Sequence, residues 1–128
     1  MIKRIAASMV LTLALTAPLA AQAAAPSRAS TSEEVTITGQ VVDVSCFVLN
    51  GASGTSHKSC AQACADKGIP LGIKTSDGTI YIPLGPGMAN AQNPKLREYS
   101  EGSVRVTGMH RFTNGVHTIE VKSIAAAT

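Results

Sequence analysis

One change of phase constrains this fold more than any other feature of the chain. Val35, Ile37, Gly39 and Val41 alternate with Thr36, Thr38 and Gln40, the period-two pattern of a half-buried strand. From Val42 the parity changes, and Val42, Val44 and Cys46 become the apolar series, separated by Asp43 and Ser45. A bulge near Val41–Val42 would produce that slip and bend the strand sharply. On this reading the strand ends with Cys46 pointing in the same direction as Val42 and Val44.

The remaining strands are marked by their turns. Apolar segments over 71–74 and 79–84 flank Ser76-Asp77-Gly78, whose Asp-Gly pair is a strong hairpin signal. Ser103–Phe112 and Val116–Ile124 flank Thr113-Asn114-Gly115, a second hairpin turn. Between the first and second strands, Asn50 to Thr55 reads as loop. A helix of about three turns then starts at His57, with Ser56 as its cap, Gly68 just past its end and Pro70 preventing resumption. Gly85 to Asn93 is loop, and Pro94 to Ser100 suits one short helix, because Pro is tolerated at a first helical position. The fold class predicted is mainly β: a small five-stranded OB-like barrel, with one short helix between strands one and two and another between strands three and four. An open five-stranded sandwich is the alternative.

The N-terminus reads as an export signal. Lys3 and Arg4 precede an apolar run from Ile5 to about Ala20, interrupted by Pro18, and Ala21-Gln22-Ala23 presents small residues at the positions a signal peptidase reads. The run is short for a membrane anchor. The expected organisation is a signal peptide over 1–23, a loose tether over 24–32 and the barrel domain over 33–125, with the periplasm as destination. Two of the eleven basic residues leave with the leader, so nine face eight acids. No polybasic stripe is left for nucleic acid or anionic lipid, and only two Tyr and two Phe are available for stacking on bases. Oligonucleotide binding, common for OB barrels, is thereby excluded as a reading.

The chemistry concentrates in one stretch. Cys46, Cys60 and Cys64 are all the cysteines of the chain, and His57 lies among them. Thiol and imidazole are the side chains that best bind borderline and soft metal ions. Helical residues advance about 100° each, so His57, Cys60 and Cys64 fall within an arc of roughly 60° on one face. Ala61 and Gly68 border that stripe and leave room for another segment, and the end of the first strand is nearest. Cys46, His57, Cys60 and Cys64 are therefore the candidate ligands of one transition-metal ion, with zinc favoured by geometry and Cu(I) as the alternative. A closed set of this kind suits a structural, storage or delivery role rather than catalysis, and delivery would add a second periplasmic protein as partner.

Other readings of the same residues stand beside it. Three thiols cannot all pair within one chain, so an oxidising compartment would allow one bridge, between Cys46 and a helical cysteine, and one leftover thiol. Cys60 and Cys64 could cycle with Cys46 in a thiol–disulfide redox protein, although bridging residues four apart on a regular helix needs distorted geometry. They could also be small buried apolar residues. His110 and His117 lie on the two strands of the last hairpin and are expected to face each other as a cross-strand pair. Met88 and Met109 read as packing residues.

The stretch Gly39-Gln40-Val41-Val42-Asp43-Val44-Ser45-Cys46-Phe47, then His57-x-x-Cys60-Ala61-x-x-Cys64, then Gly68-Ile69-Pro70, resembles a family of small exported bacterial proteins with an OB-like barrel. Their pattern is G-x-V-x-D-x-x-C-[YF], H-x-x-C-A-x-x-C and G-x-P. The likeness extends to Val104-x-Val106-Thr107-Gly108 and Ile119-x-Val121. It implies that Cys46, His57, Cys60 and Cys64 belong to one site, and it implies no reaction and no particular metal. Phe47 departs from it where tyrosine is common, as does Asp66-Lys67 where a second glycine is frequent.

Overall fold

The structure, a computed structural model, describes residues 31–128. The expected signal peptide, and all of the expected tether before Thr31, lie outside the described residues. Ser32, taken as the end of the tether, already begins a strand. The elements run β1 (Ser32–Asp43), α1 (Val44–Asn50), α2 (Lys58–Asp66), β2 (Leu71–Thr75), β3 (Ile80–Leu84), α3 (Asn93–Leu96), β4 (Ser103–Thr113) and β5 (Val116–Ala126). Short 3-10 turns over Thr55–His57 and Arg97–Tyr99 precede α2 and follow α3. The strands close into a barrel in the order β1-β2-β3-β5-β4, with β3 and β5 parallel and the other pairs antiparallel. This is the five-stranded OB-type barrel expected, and closure removes the exposed sheet edges that invite aggregation.

β1 makes the closure possible. Its residues up to Gln40 pair with β4, and its residues from Gly39 pair with β2, so Gly39 and Gln40 bond to both neighbours. The pairing with β2 runs residue for residue from Gly39 to Asp43, so no bulge lies at Val41–Val42. The register shift of the barrel is instead in the β4–β5 pairing, where Thr107 and Gly108 pair with Ser123 and Val121 and Lys122 of β5 is the extra residue. The change of apolar parity has a different cause. Past Gln40 the strand is covered on both sides, and Val41, Val42 and Asp43 are all fully buried. Val41 joins the core with Leu71, Ile73, Leu96, Val104, Val106 and Ile119, whereas Val42 and Ala61 of α2 are buried outside that cluster.

A second expectation is corrected at the same point. The strand does not reach Cys46: it stops at Asp43, whose Oδ1 accepts the Cys46 backbone N–H at 3.0 Å and caps α1. Gly51, at φ 66°, ends that helix. Asp is among the preferred N-cap residues, because its carboxylate takes up a backbone donor that the first helical turn leaves free. Cys46 therefore sits in the first turn of a helix rather than on a strand. Ser56 is not the cap expected for α2, which is entered through the 3-10 turn with no side-chain cap. Gly68 does end it, at φ 88°, with the Ile69 N–H returning to the Cys64 carbonyl at 3.0 Å.

α1 is held onto the barrel by a small residue and a charge. A Cβ on Gly72 would meet Val44 Cγ2 at 2.8 Å and Ile80 Cγ2 at 2.9 Å, so the missing side chain lets α1 approach β2. Lys74 Nζ lies 4.7 Å from the centre of the Phe47 ring, a cation–π contact from β2 to the same helix. Gly72→Val should force Val44 off the sheet and lower stability by about 1–3 kcal/mol, the usual cost of overpacking. Urea unfolding checks this, and an unchanged midpoint would show that α1 is not seated there. Among the described residues no helix is long and apolar enough to cross a membrane.

Candidate metal centre

Four segments meet at the end of β1. Asp43 closes that strand, Cys46 follows in α1, His57 ends the 3-10 turn, and Cys60 and Cys64 lie along α2. The donor atoms of Cys46, His57 and Cys60 lie within 4.8 Å of one another, and so do those of Asp43, Cys46 and Cys64. All four residues expected from the sequence are brought together, as two trios that share Cys46. Ligands about 2.3 Å from a tetrahedral ion are about 3.8 Å apart, so a modest contraction of either trio would enclose one. The first trio opens outward, with Cys60 exposed; the second is deeper, with Asp43 fully buried. The three cysteines are free thiols.

Glu101 orients the histidine. Its carboxylate is fully buried, and Oε1 lies 2.9 Å from His57 Nδ1. Oε2 accepts the Gly54 backbone N–H at 2.7 Å and Gln40 Nε2 at 3.0 Å. An ionised carboxylate only accepts, so it fixes the proton on Nδ1 and leaves the Nε2 lone pair free for a metal. The acid is itself delivered by an unusual backbone: Glu101 has φ 62° and its N–H donates to the Val41 carbonyl at 2.8 Å. Non-glycine residues rarely adopt that region, and here that bond and the one from the Val41 N–H to the Gly102 carbonyl, at 2.9 Å, hold the turn against β1.

Asp43 sets the state of the thiols. Cys64 is pushed up to about 12, by its hydrogen bond to the Asp43 carboxylate first, then by burial, then by the Asp43 charge. Cys46 is also pushed up, by burial and then by Asp43. For Asp43 itself burial opposes the charge, but the Cys46 backbone N–H and the thiols of Cys64 and Cys46 outweigh it and hold the carboxyl below its usual range. Oδ2 is buried and makes no well-directed hydrogen bond. With no metal bound, the two thiols nearest Asp43 thus keep their protons at neutral pH. A protonated thiol is a poor nucleophile, so Cys46 and Cys64 are not primed to attack a disulfide.

Asp43 and Glu101 were not picked out from the sequence. An aspartate inside Val41-Val42-Asp43-Val44 is a charge in an apolar run, and Asp43 with Gly51 brackets a short helix; both signals were legible. Glu101 carried none, since its partners are distant in sequence.

His110 and His117 meet across the last hairpin, Nε2 and Nδ1 lying 3.1 Å apart with Tyr81 edge-on to both rings, but diagonally: the register sets His110 opposite Ile119 and His117 opposite Phe112. No protein-family model, curated protein or solved structure matches this chain, and the chemistry of the centre is read from its geometry.

Proposed function

We propose that this chain is an exported transition-metal-binding protein whose ion sits between α1 and α2, in a storage or delivery role. The observation that carries the reading is the convergence of Cys46, His57 and Cys60 within 4.8 Å, with Cys64 joined to them through Cys46. The buried Glu101 behind His57 supports it, because ligating imidazoles characteristically give their other N–H to a carboxylate. Two or three thiolates with one imidazole suit zinc, and the same soft donors accept Cu(I). Export is supported by Lys3-Arg4, the apolar run and Ala21-Gln22-Ala23. The resemblance to small exported barrel proteins points the same way. The exposure of Cys60 suits exchange of the ion with a partner protein.

The test is to purify the protein from a periplasm and to measure metal content and free thiols on one sample. At least one equivalent of zinc or copper with all thiols protected is the expected result. A metal-free protein with a disulfide would overturn the reading. Cys60→Ser should lower zinc affinity at least tenfold, the scale of a lost tetrahedral ligand at about 1.4 kcal/mol or more. Undiminished affinity would remove Cys60 from the ligand set.

A further inference from the structure

The two trios that meet at Cys46 ask for more than one ion. We infer that the centre has two cation positions bridged by the Cys46 thiolate: an outer one completed by His57 and Cys60, and an inner one for a divalent ion completed by Asp43 and Cys64. This rests on the metal-binding reading above and deepens it.

Each trio already closes to within 4.8 Å with every side chain where it stands. A single ion held by Cys46, His57, Cys60 and Cys64 would instead require Cys64 to turn away from Asp43. Asp43 supplies the second, independent observation. It is fully buried, yet one carboxylate oxygen, Oδ2, has no well-directed hydrogen bond, and the side-chain donors near the carboxylate are the thiols of Cys64 and Cys46. A buried carboxylate oxygen met only by weak thiol donors is costly, and a cation in the inner position would satisfy it. The cap that Asp43 gives to α1 uses Oδ1 alone, so capping does not explain the second oxygen.

Charge balance agrees. An outer divalent ion balances the Cys46 and Cys60 thiolates and leaves the buried Asp43 charge uncompensated, whereas a second divalent ion balances Asp43 together with a Cys64 thiolate. A thiolate bound to one ion still has lone pairs for another, so Cys46 can serve both. The carboxylate also selects the occupant: it is a hard donor, which suits Zn²⁺ or Co²⁺ and not Cu(I).

The test titrates the reduced, purified protein with Zn²⁺ and, separately, with Co²⁺, and determines bound metal after desalting. The wild type should saturate at two ions per chain. Asp43→Asn keeps a side-chain oxygen able to cap α1, so helix content by circular dichroism should hold while bound metal falls to one per chain. Cys64→Ser should likewise bind one. Should Asp43→Asn fail to fold, the wild type still decides: sulfur-to-cobalt charge-transfer absorption should grow through a second equivalent. Saturation of the wild type at one ion overturns the inner position, as does an Asp43→Asn protein that still binds two. A wild type that binds none overturns the metal-binding reading itself, a result distinct from either.

Discussion

Zinc at a thousandfold excess over its Kd should raise the unfolding free energy by about 4 kcal/mol, since an ion that binds only the folded chain stabilises it by mass action. At about 4–8 °C per kcal/mol for a domain of this size, Tm should rise by about 15 °C or more. The physical reason is that the donors come from separate segments. Asp43 ends β1, Cys46 lies in α1, and His57, Cys60 and Cys64 follow a loop, so the folded barrel alone assembles them. Calorimetry with and without zinc measures the increment. Cys60→Ser should keep the metal-free Tm, because Cys60 is exposed, and at the same zinc concentration should lose about a third of the increment or more. The increment should also shrink as pH falls. Cys46 and Cys64 are pushed up in the metal-free protein, so a bound ion must displace their protons, and acid favours the protons. A Tm indifferent to zinc would remove the metal from this account.

Glu101→Ala is expected to have the largest effect of any substitution outside the ligands. It strips one acceptor from His57, Gly54 and Gln40 together and leaves three part-buried donors without that partner, at a cost of about 3 kcal/mol. Zinc affinity should fall about 10–100-fold as well, because the imidazole loses the group that fixes its tautomer and direction. Gln40→Ala separates the two roles. It removes the hydrogen bonds from Gln40 Nε2 to the Glu101 carboxylate and carbonyl and leaves the His57 contact, so stability should drop while zinc affinity stays within about twofold, a change of less than about 0.5 kcal/mol. Urea unfolding and competition against a chromophoric chelator read the two quantities. If Glu101→Ala binds zinc as the wild type does, Glu101 is a structural acid and not a positioning residue.

Local patterns carried most of the architecture. Ser76-Asp77-Gly78 and Thr113-Asn114-Gly115 predicted hairpins that the barrel contains, since turn chemistry depends on a few adjacent residues. The His57, Cys60 and Cys64 stripe was legible for a similar reason: Cys60 and Cys64 lie on α2 one turn apart, and His57 directly precedes it. The route of β1 misled because burial on both sides and a bulge give the same run of apolar residues. Val41 and Val42 are consecutive and both buried, and only the neighbours that cover them distinguish the two causes.

What the sequence determined by itself is therefore the set of strands, their turns, the α2 helix and the gathering of thiols with an imidazole. The tertiary structure alone decided how those donors are divided. It ended β1 at Asp43, turned Cys46 into α1, and set a buried carboxylate on each side of the cluster, Asp43 among the thiols and Glu101 behind His57. Glu101 lies 44 positions from His57 and 61 from Gln40 in the chain. Periodicity reports on a residue's neighbours within a few positions, and it holds no information on a carboxylate that the closing of a barrel delivers from so far along the chain.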